Sequence, residues 1–341
     1  MTNVRPLLLA AFLPLAISGC AELDEAVSAA DAALKSASDG GAAPAAVEAP
    51  APAEASAAAP VADGETITQT FDSGAVYSGA YKDGKQHGYG TYKAPDGFEY
   101  AGNWVDGRIE GQGRAKFPNG SIYEGQFKNA KPHGKGKITY ADGGTYDGDW
   151  IDGKIEGAGV AEYADGLRYE GQFKDSVQHG QGIATRKDGF KYDGEWKNGQ
   201  QDGTGTATYP DGSVYAGTFK NGQRDGQGKL TLPDGFVYEG AWSGGKISGT
   251  GKAVYANGDV YEGEFADGNR NGTGKATYAA GGVYEGQFKG GQREGTGTYT
   301  APDGFKYEGA WKGGQINGQG VAIYPDGTRL EGTFEDGKFV S

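Results

Sequence analysis

The chain has 341 residues, 65 of them glycine, and its 45 acidic against 32 basic side chains give a net charge of −13. That balance opposes a surface that tracks phosphates, so nucleic acid is not an expected partner, and it keeps an extended molecule soluble. Cys20 is the single cysteine, which excludes an intrachain disulfide and a cysteine-based zinc site.

Residues 1–19 open with the polar MTNVR, in which Arg5 is the only positive side chain, and continue with the apolar PLLLAAFLPLAI. The run is too short to span a membrane comfortably and has the layout of an export signal. At its end Ile17-Ser18-Gly19-Cys20 resembles the bacterial lipoprotein box. The resemblance implies that Cys20 is lipidated as the first residue of the mature chain, although one arginine makes a thin positive region. By the same resemblance Ala21, in place of Asp, implies the outer membrane of the cell envelope, facing the periplasm. A plain signal peptide followed by an unrelated cysteine is the alternative reading.

Residues 20–63 are rich in Ala, Pro, Ser and Glu. Leu23, Val27, Ala30 and Leu34 fall at helical spacing and make at best one weak amphipathic helix. Beyond Ser38, GGAAPAAVEAPAPAEASAAAP cannot bury enough apolar area to offset its ordering entropy, so a disordered tether is expected. A coil of this length holds the C-terminal part of the chain roughly 30 to 40 Å from the lipid.

From residue 64 to 341 the chain is periodic. Thr66 to Gly74 reads as the second half of a unit, and tyrosines at 77, 100, 123, 146, 169, 192, 215, 238, 261, 284 and 307 then open successive copies, with Leu330 opening a last, half copy. Twelve starts in one register without an insertion are the mark of a repeat array. In each copy an aromatic stands two places beyond a glycine, as in Tyr192, Gly194 and Trp196, with polar residues between. Such alternation is a half-buried strand, and Gly205, Ala207 and Tyr209 give the second strand of the same copy. Pro210-Asp211-Gly212 and its equivalents are hairpin turns, in which Pro fixes φ, Asx bonds its own backbone and Gly accepts positive φ. The other link, such as Asn198 to Gly203, reads as a longer polar connection bounded by glycines.

The unit YxGxWxxGxxxGxGxxxYxxG, carried by residues 77 to 337, resembles the MORN (membrane occupation and recognition nexus) repeat. Departures are local: Ala130 and Ser176 replace a loop glycine, Ala94, Arg186, Leu232 and Ala301 replace the second aromatic, and Ala280 replaces a turn Asx. The expected fold is all-β: a single-layer antiparallel meander of twelve 23-residue hairpin repeats, elongated and twisted or curled. Glycines on the aromatic face leave holes that neighbouring rings cover.

The candidate binding face is the aromatic row, above all Trp104, Trp150, Trp196, Trp242 and Trp311 with Tyr100, Tyr192, Tyr238 and Tyr307. Buried core is the competing reading of every ring in it. His87, His133 and His179 occupy one loop position in alternate copies, about 19 Å apart on the strand spacing, too far for one ion to bridge. The turn aspartates are accounted for by turn formation. No nucleophile elbow and no phosphate loop opening a helix interrupts the period, and no cofactor or metal site is expected. The resemblance implies binding and scaffolding, not catalysis. Two readings stay open: an envelope lipoprotein that scaffolds a protein, peptide or lipid partner through an aromatic-lined trough, or a cell-wall glycan binder that stacks sugars on Trp and Tyr. The MORN resemblance also implies an elongated homodimer or an end-on partner contact, with the uncharged end strand Thr66 to Phe71 as its expected seat; the linker folding over that edge is the alternative.

Overall fold

The alternation of apolar and polar residues puts every described element in extended conformation. The computed structural model describes residues 65–341, and the export signal, Cys20 and the tether lie outside them. The described residues form 25 strands and no helix. The first are β1 (Thr66–Thr70), β2 (Val76–Lys82) and β3 (Lys85–Lys93). Residues 65–210 with 219–223 pack as one compact unit, and residues 211–218 with 224–341 as a second. Within each, strands pair antiparallel with their sequence neighbours, as β1 with β2 and β2 with β3 in the first unit, and Val237–Ser243 with Lys246–Val254 in the second. The expected all-β meander of hairpins is therefore the architecture of both.

Turn chemistry alternates along the chain. After Ala94, the Gly97 amide donates to the Ala94 carbonyl at 3.1 Å, and the Phe98 amide donates to Asp96 Oδ1 at 3.0 Å. Gly97 takes the left-handed conformation (φ 95°) that closes this turn. The other link is shorter than its sequence suggests. Asn198 and Gly199 alone make the turn, both at positive φ (51° and 79°), and the next strand already starts at Gln200. Two successive positive φ angles twist a two-residue hairpin in the same sense as its strands, which is why Asp-Gly and Asn-Gly recur here. The glycine that seemed to end the link, Gly203 (φ 112°), instead sits in a bulge where the register shifts between Gly194 and Trp196.

The core of each repeat is a ring laid on bare backbone. Tyr192 lies over Gly194 on its own strand and Gly205 on the partner, and these two glycines face each other in the ladder. Its hydroxyl donates to the carbonyl of the bulge residue Glu195 at 3.0 Å. Tyr100, Tyr238 and Tyr307 make the same bond to Asn103, Ala241 and Ala310. The C-terminal edge differs from expectation, because the chain turns once more and Lys338–Phe339 pairs along Arg329–Glu335 through Phe334 and Phe339. At the other end β1 pairs only with β2 among the described residues.

Two positions test this packing. A Cβ on Gly194 would stand 2.5 Å from the Gly205 Cα, whereas Lys197 points to solvent. Ala130 holds φ at 62°, and Ser176, at the same turn position (φ 66°), offsets its strain by accepting the Ile155 amide at 3.1 Å. Gly194→Val is expected to cost about 1–3 kcal/mol or more by overpacking, and Lys197→Val close to nothing. Ala130→Gly should recover roughly 1 kcal/mol of left-handed strain. Thermal melts should rank A130G above the parent and G194V far below it; equal melting of G194V and K197V would mean that the two faces are assigned the wrong way round.

Candidate functional site

The structure places the nine candidate rings in the core. Trp104, Trp150, Trp196, Trp242 and Trp311 are 1–4% exposed, and Tyr100, Tyr192, Tyr238 and Tyr307 are 0–2% exposed. Each indole stands edge to face between the tyrosine of its own repeat and that of the repeat before. Trp104 meets Tyr77 and Tyr100 at 5.2 and 5.6 Å, Trp150 meets Tyr123 and Tyr146, and Trp196 meets Tyr169 and Tyr192. In the second unit Trp242 meets Tyr215 and Tyr238, and Trp311 meets Tyr284 and Tyr307. The indole N–H is also spent, donating to a glycine carbonyl of the preceding hairpin, as from Trp150 to Gly136 at 2.9 Å and from Trp196 to Gly182 at 3.0 Å. Ring faces and polar edges are thus committed to packing, and a sugar finds no open indole face on these five to stack on.

Two packing rules escaped the sequence reading. Ile109, Ile155, Ile247 and Ile316 pair across the ladder with Trp104, Trp150, Trp242 and Trp311. The same position carries Gln178, Arg270 and Arg293 opposite the smaller Phe173, Phe265 and Phe288. Ile thus stands opposite four of the five tryptophans, and that recurrence was the available signal; Gln201 opposite Trp196 departs from it. The second rule concerns Phe98, Phe190, Phe236 and Phe305. Each comes four residues after one of the non-aromatic departures, Ala94, Arg186, Leu232 and Ala301, across the same hairpin turn. One ring is supplied per turn, from whichever side carries it.

One of the three histidines serves a turn. The backbone amide of Asp152 donates to His133 Nδ1 at 3.4 Å, in the way that the Asn129 amide donates to Glu110 and the Asp175 amide to Glu156. His87 Nδ1 lies 3.7 Å from the Asp106 carboxylate. Among the described residues no three His, Cys, Asp or Glu side chains converge as metal ligands. The turn aspartates accept amides two residues on, as Asp211 does from Ser213 at 2.8 Å.

The face away from the rings carries an open cleft of about 580 Å³ in the second unit, lined by Glu285, Glu308, Glu331, Thr298, Gln319 and Val321 among others. In its cross-strand ladder Glu308 faces Thr298 and Val321, and its nearest cation is Lys306 at 3.9 Å. Glu331 is held by Arg329 at 2.5 Å. The cleft offers carboxylates, hydroxyls and amides, which can hold a ligand.

The MORN repeat model matches the chain eleven times in succession, at 77–98, 100–122, 123–145, 146–168, 169–190, 192–214, 215–237, 238–260, 261–283, 284–306 and 307–329. The half copy at Leu330 lies outside these matches, in keeping with the loss of the tyrosine that opens each of the others. No curated protein sequence matches the chain. Among solved structures, the chain is similar to the TCP10 domain of Danio rerio CPAP in complex with a STIL peptide, at 15% identity over 79% of this chain and 99% of that one, with a TM-score of 0.26. It is also similar to the TCP domain of Drosophila melanogaster SAS-4 in complex with a proline-rich motif of Ana2, at 15% identity over 59% and 90% of the two chains (TM-score 0.26), and to a streptogramin B lyase at 12% over 80% and 84% (TM-score 0.14).

Burial of the tyrosine row has a titration consequence. Desolvation pushes the phenols of Tyr77, Tyr238 and Tyr284 up from 10.0 to about 12, and those of Tyr100, Tyr123, Tyr146, Tyr169, Tyr192 and Tyr261 further still. A phenol that is harder to ionise when folded leaves stability intact below the unfolded value of 10.0, and stability is lost as pH rises towards 12 and beyond. Phenolate absorbance of this buried row is expected to rise together with loss of the sheet signal. Full ionisation with the sheet still intact would contradict this packing.

Proposed function

The chain belongs to the MORN-repeat family, and from that premise we propose that it is a non-enzymatic scaffold or binding module, tethered to the membrane of the bacterial cell envelope by lipid on Cys20. The observation that carries the reading is a division of labour within one sequence. An apolar leader ends at the only cysteine, an Ala/Pro-rich stretch comes next, and eleven repeats follow from residue 77 to 329. An array without insertions builds no enclosed pocket for chemistry but offers the same surface again in each repeat, which suits a protein or peptide partner, with a lipid or glycan as the less favoured ligand. The outer membrane, facing the periplasm, is the location that Ala21 supports. Net charge opposes direct attraction to anionic headgroups, so the lipid anchor supplies membrane residence. Pull-down from crosslinked envelopes, set against binding to purified peptidoglycan, separates a protein partner from a glycan.

Cys20→Ser is expected to leave a folded array and to release it from membranes, since acyl chains contribute about 0.8 kcal/mol per buried methylene. Sedimentation of the variant with membranes after a high-salt wash would mean that the repeats themselves bind there, and the tether reading would fall.

A homodimer seated on β1 belongs to the same proposal. β1 has no charged residue, and its outer edge makes no strand pairing among the described residues. Light scattering on residues 63–341 should show a concentration-dependent dimer that Thr68→Pro weakens without unfolding the array. A monomer at all concentrations would remove the homodimer.

A further inference from the structure

Three arginines of the second unit, Arg224, Arg270 and Arg293, stand where other repeats carry Gln, Pro or Ile; Arg224 is wholly buried over Trp242 at 4.6 Å, whereas Arg270 and Arg293 are partly exposed. Arg270 faces Phe265 and Arg293 faces Phe288 across the ladder, on the ring side of the sheet. Arg293 stacks over Trp311 at 4.3 Å and Arg270 over Phe288 at 5.4 Å. Each spends one Nη2–H on a turn carbonyl, Arg270 on Gly291 at 2.8 Å and Arg293 on Gly314 at 2.7 Å. Neither guanidinium makes another hydrogen bond or has a carboxylate in ion-pair reach among the described residues. Both residues are half-buried, and Arg270 Nε is itself buried without a partner, so the charge is partly desolvated. A cation in that position costs free energy unless it is paired, and a carboxylate brought from outside would supply short, charge-assisted bonds to the planar guanidinium.

The rings beside them are open over the same stretch. Tyr255, Tyr278 and Tyr324, at one equivalent position of their repeats, are half-exposed. In the first unit Phe117, Tyr140 and Tyr209 hold that position and are 3%, 9% and 2% exposed, while Tyr163 is half-exposed as well. Arg270 and Arg293, like Tyr255 and Tyr278, are one repeat apart, which is two strands or about 9.6 Å. An extended chain in the polyproline II conformation advances about 9.3 Å in three residues. Such a chain, running across the strands, would present the same side to this face at every repeat.

We propose that the ring face of repeats 261–283 and 284–306 docks an extended acidic segment of a partner protein, in which carboxylates three residues apart meet Arg270 and Arg293 and apolar side chains lie against Tyr255 and Tyr278. The proposal rests on the binding-module reading and names the chemistry of the partner. The chain's own residues 40–60 fit less well, because their acidic residues, Glu48 and Glu54, are six residues apart and only one of them can meet this pair.

The probe is a fluorescein-labelled peptide of four Glu-Pro-Ala triplets, titrated into the full chain at low ionic strength and followed by anisotropy. One control peptide carries Gln for every Glu, and another places Glu at every fourth residue. Saturable binding of the triplet peptide is expected, falling as salt is raised. Both controls, and the Arg270→Gln/Arg293→Gln variant against the triplet peptide, should bind at least about fivefold more weakly, on the scale of one lost charge-assisted contact. Gln86, Gln178 and Gln201 already occupy this place in other repeats, so the variant is expected to fold. The peptide controls need no variant and decide the matter by themselves. Equal binding of the Glu and Gln peptides, indifference to carboxylate spacing, or no binding of any peptide overturns the proposal. Capture of a partner from crosslinked envelopes tests the broader reading separately.

Discussion

A tyrosine ring can lie flat on a strand only where the backbone beneath it carries no side chain on either of two paired strands, and that requirement sets the spacing of the whole repeat. Beneath Tyr192, any Cβ on Gly194 or Gly205 would enter the ring or the opposing backbone. The hydroxyl must also reach the carbonyl at Glu195, where the ladder is interrupted. The interruption in turn needs a left-handed residue on the partner strand, and Gly203 supplies it. One contact therefore dictates three glycines and the bulge between them. A change in the length of either strand would separate the ring from its seat.

The same ring passes the constraint to its neighbours. Tyr192 touches Trp196 of its own repeat at 5.2 Å and Phe219 of the next at 5.1 Å, both edge to face. Such pairs contribute roughly 0.5–1.5 kcal/mol beyond the area they bury. A single layer with no second sheet to pack against thus draws its core from rings that interlock along its own face. Stability in such an array is approximately a sum of repeat terms and nearest-neighbour terms, so a defect such as the left-handed Ala130 is tolerated locally while its neighbours hold the register.

Strands, turns and glycine seats were legible because each comes from a short-range rule: alternation for Tyr192 to Trp196, Asx and Gly for Asp211 and Gly212, a missing side chain for Gly194. Properties that depend on several repeats at once were not legible. The link after Lys197 looked six residues long because Gln200 and Gln201 are polar, yet Gln201 is wholly buried opposite Trp196. Polarity there reports a side chain that packs in the ring layer, not a loop. Exposure of the aromatic row failed to show for the same reason. Whether Trp150 is open depends on Tyr123 in the repeat before it, and no alternation within one repeat encodes that contact.

Variation within so regular a chain can be sorted by whether its consequences are absorbed. The exchange of a ring between Ala94 and Phe98, or between Tyr209 and Ser213, keeps one ring at the turn and is closed by packing. The exchange of Ile opposite Trp150 for Gln opposite Phe173 or Trp196 keeps the ring layer filled. His133 and Glu110 interchange because each needs only an acceptor for the next turn's amide. In all three cases the change at one position is answered at another, and the scaffold explains both. Arg270 and Arg293 differ in kind. Their length is answered by Phe265 and Phe288, but their charge is answered by no carboxylate among the described residues. Arg224, at the same position, is wholly buried over Trp242, so ring stacking is one use the scaffold makes of arginine there. Arg270 and Arg293 are partly exposed instead, and in a repeat protein such partly open departures are where one array comes to differ from another in what it binds.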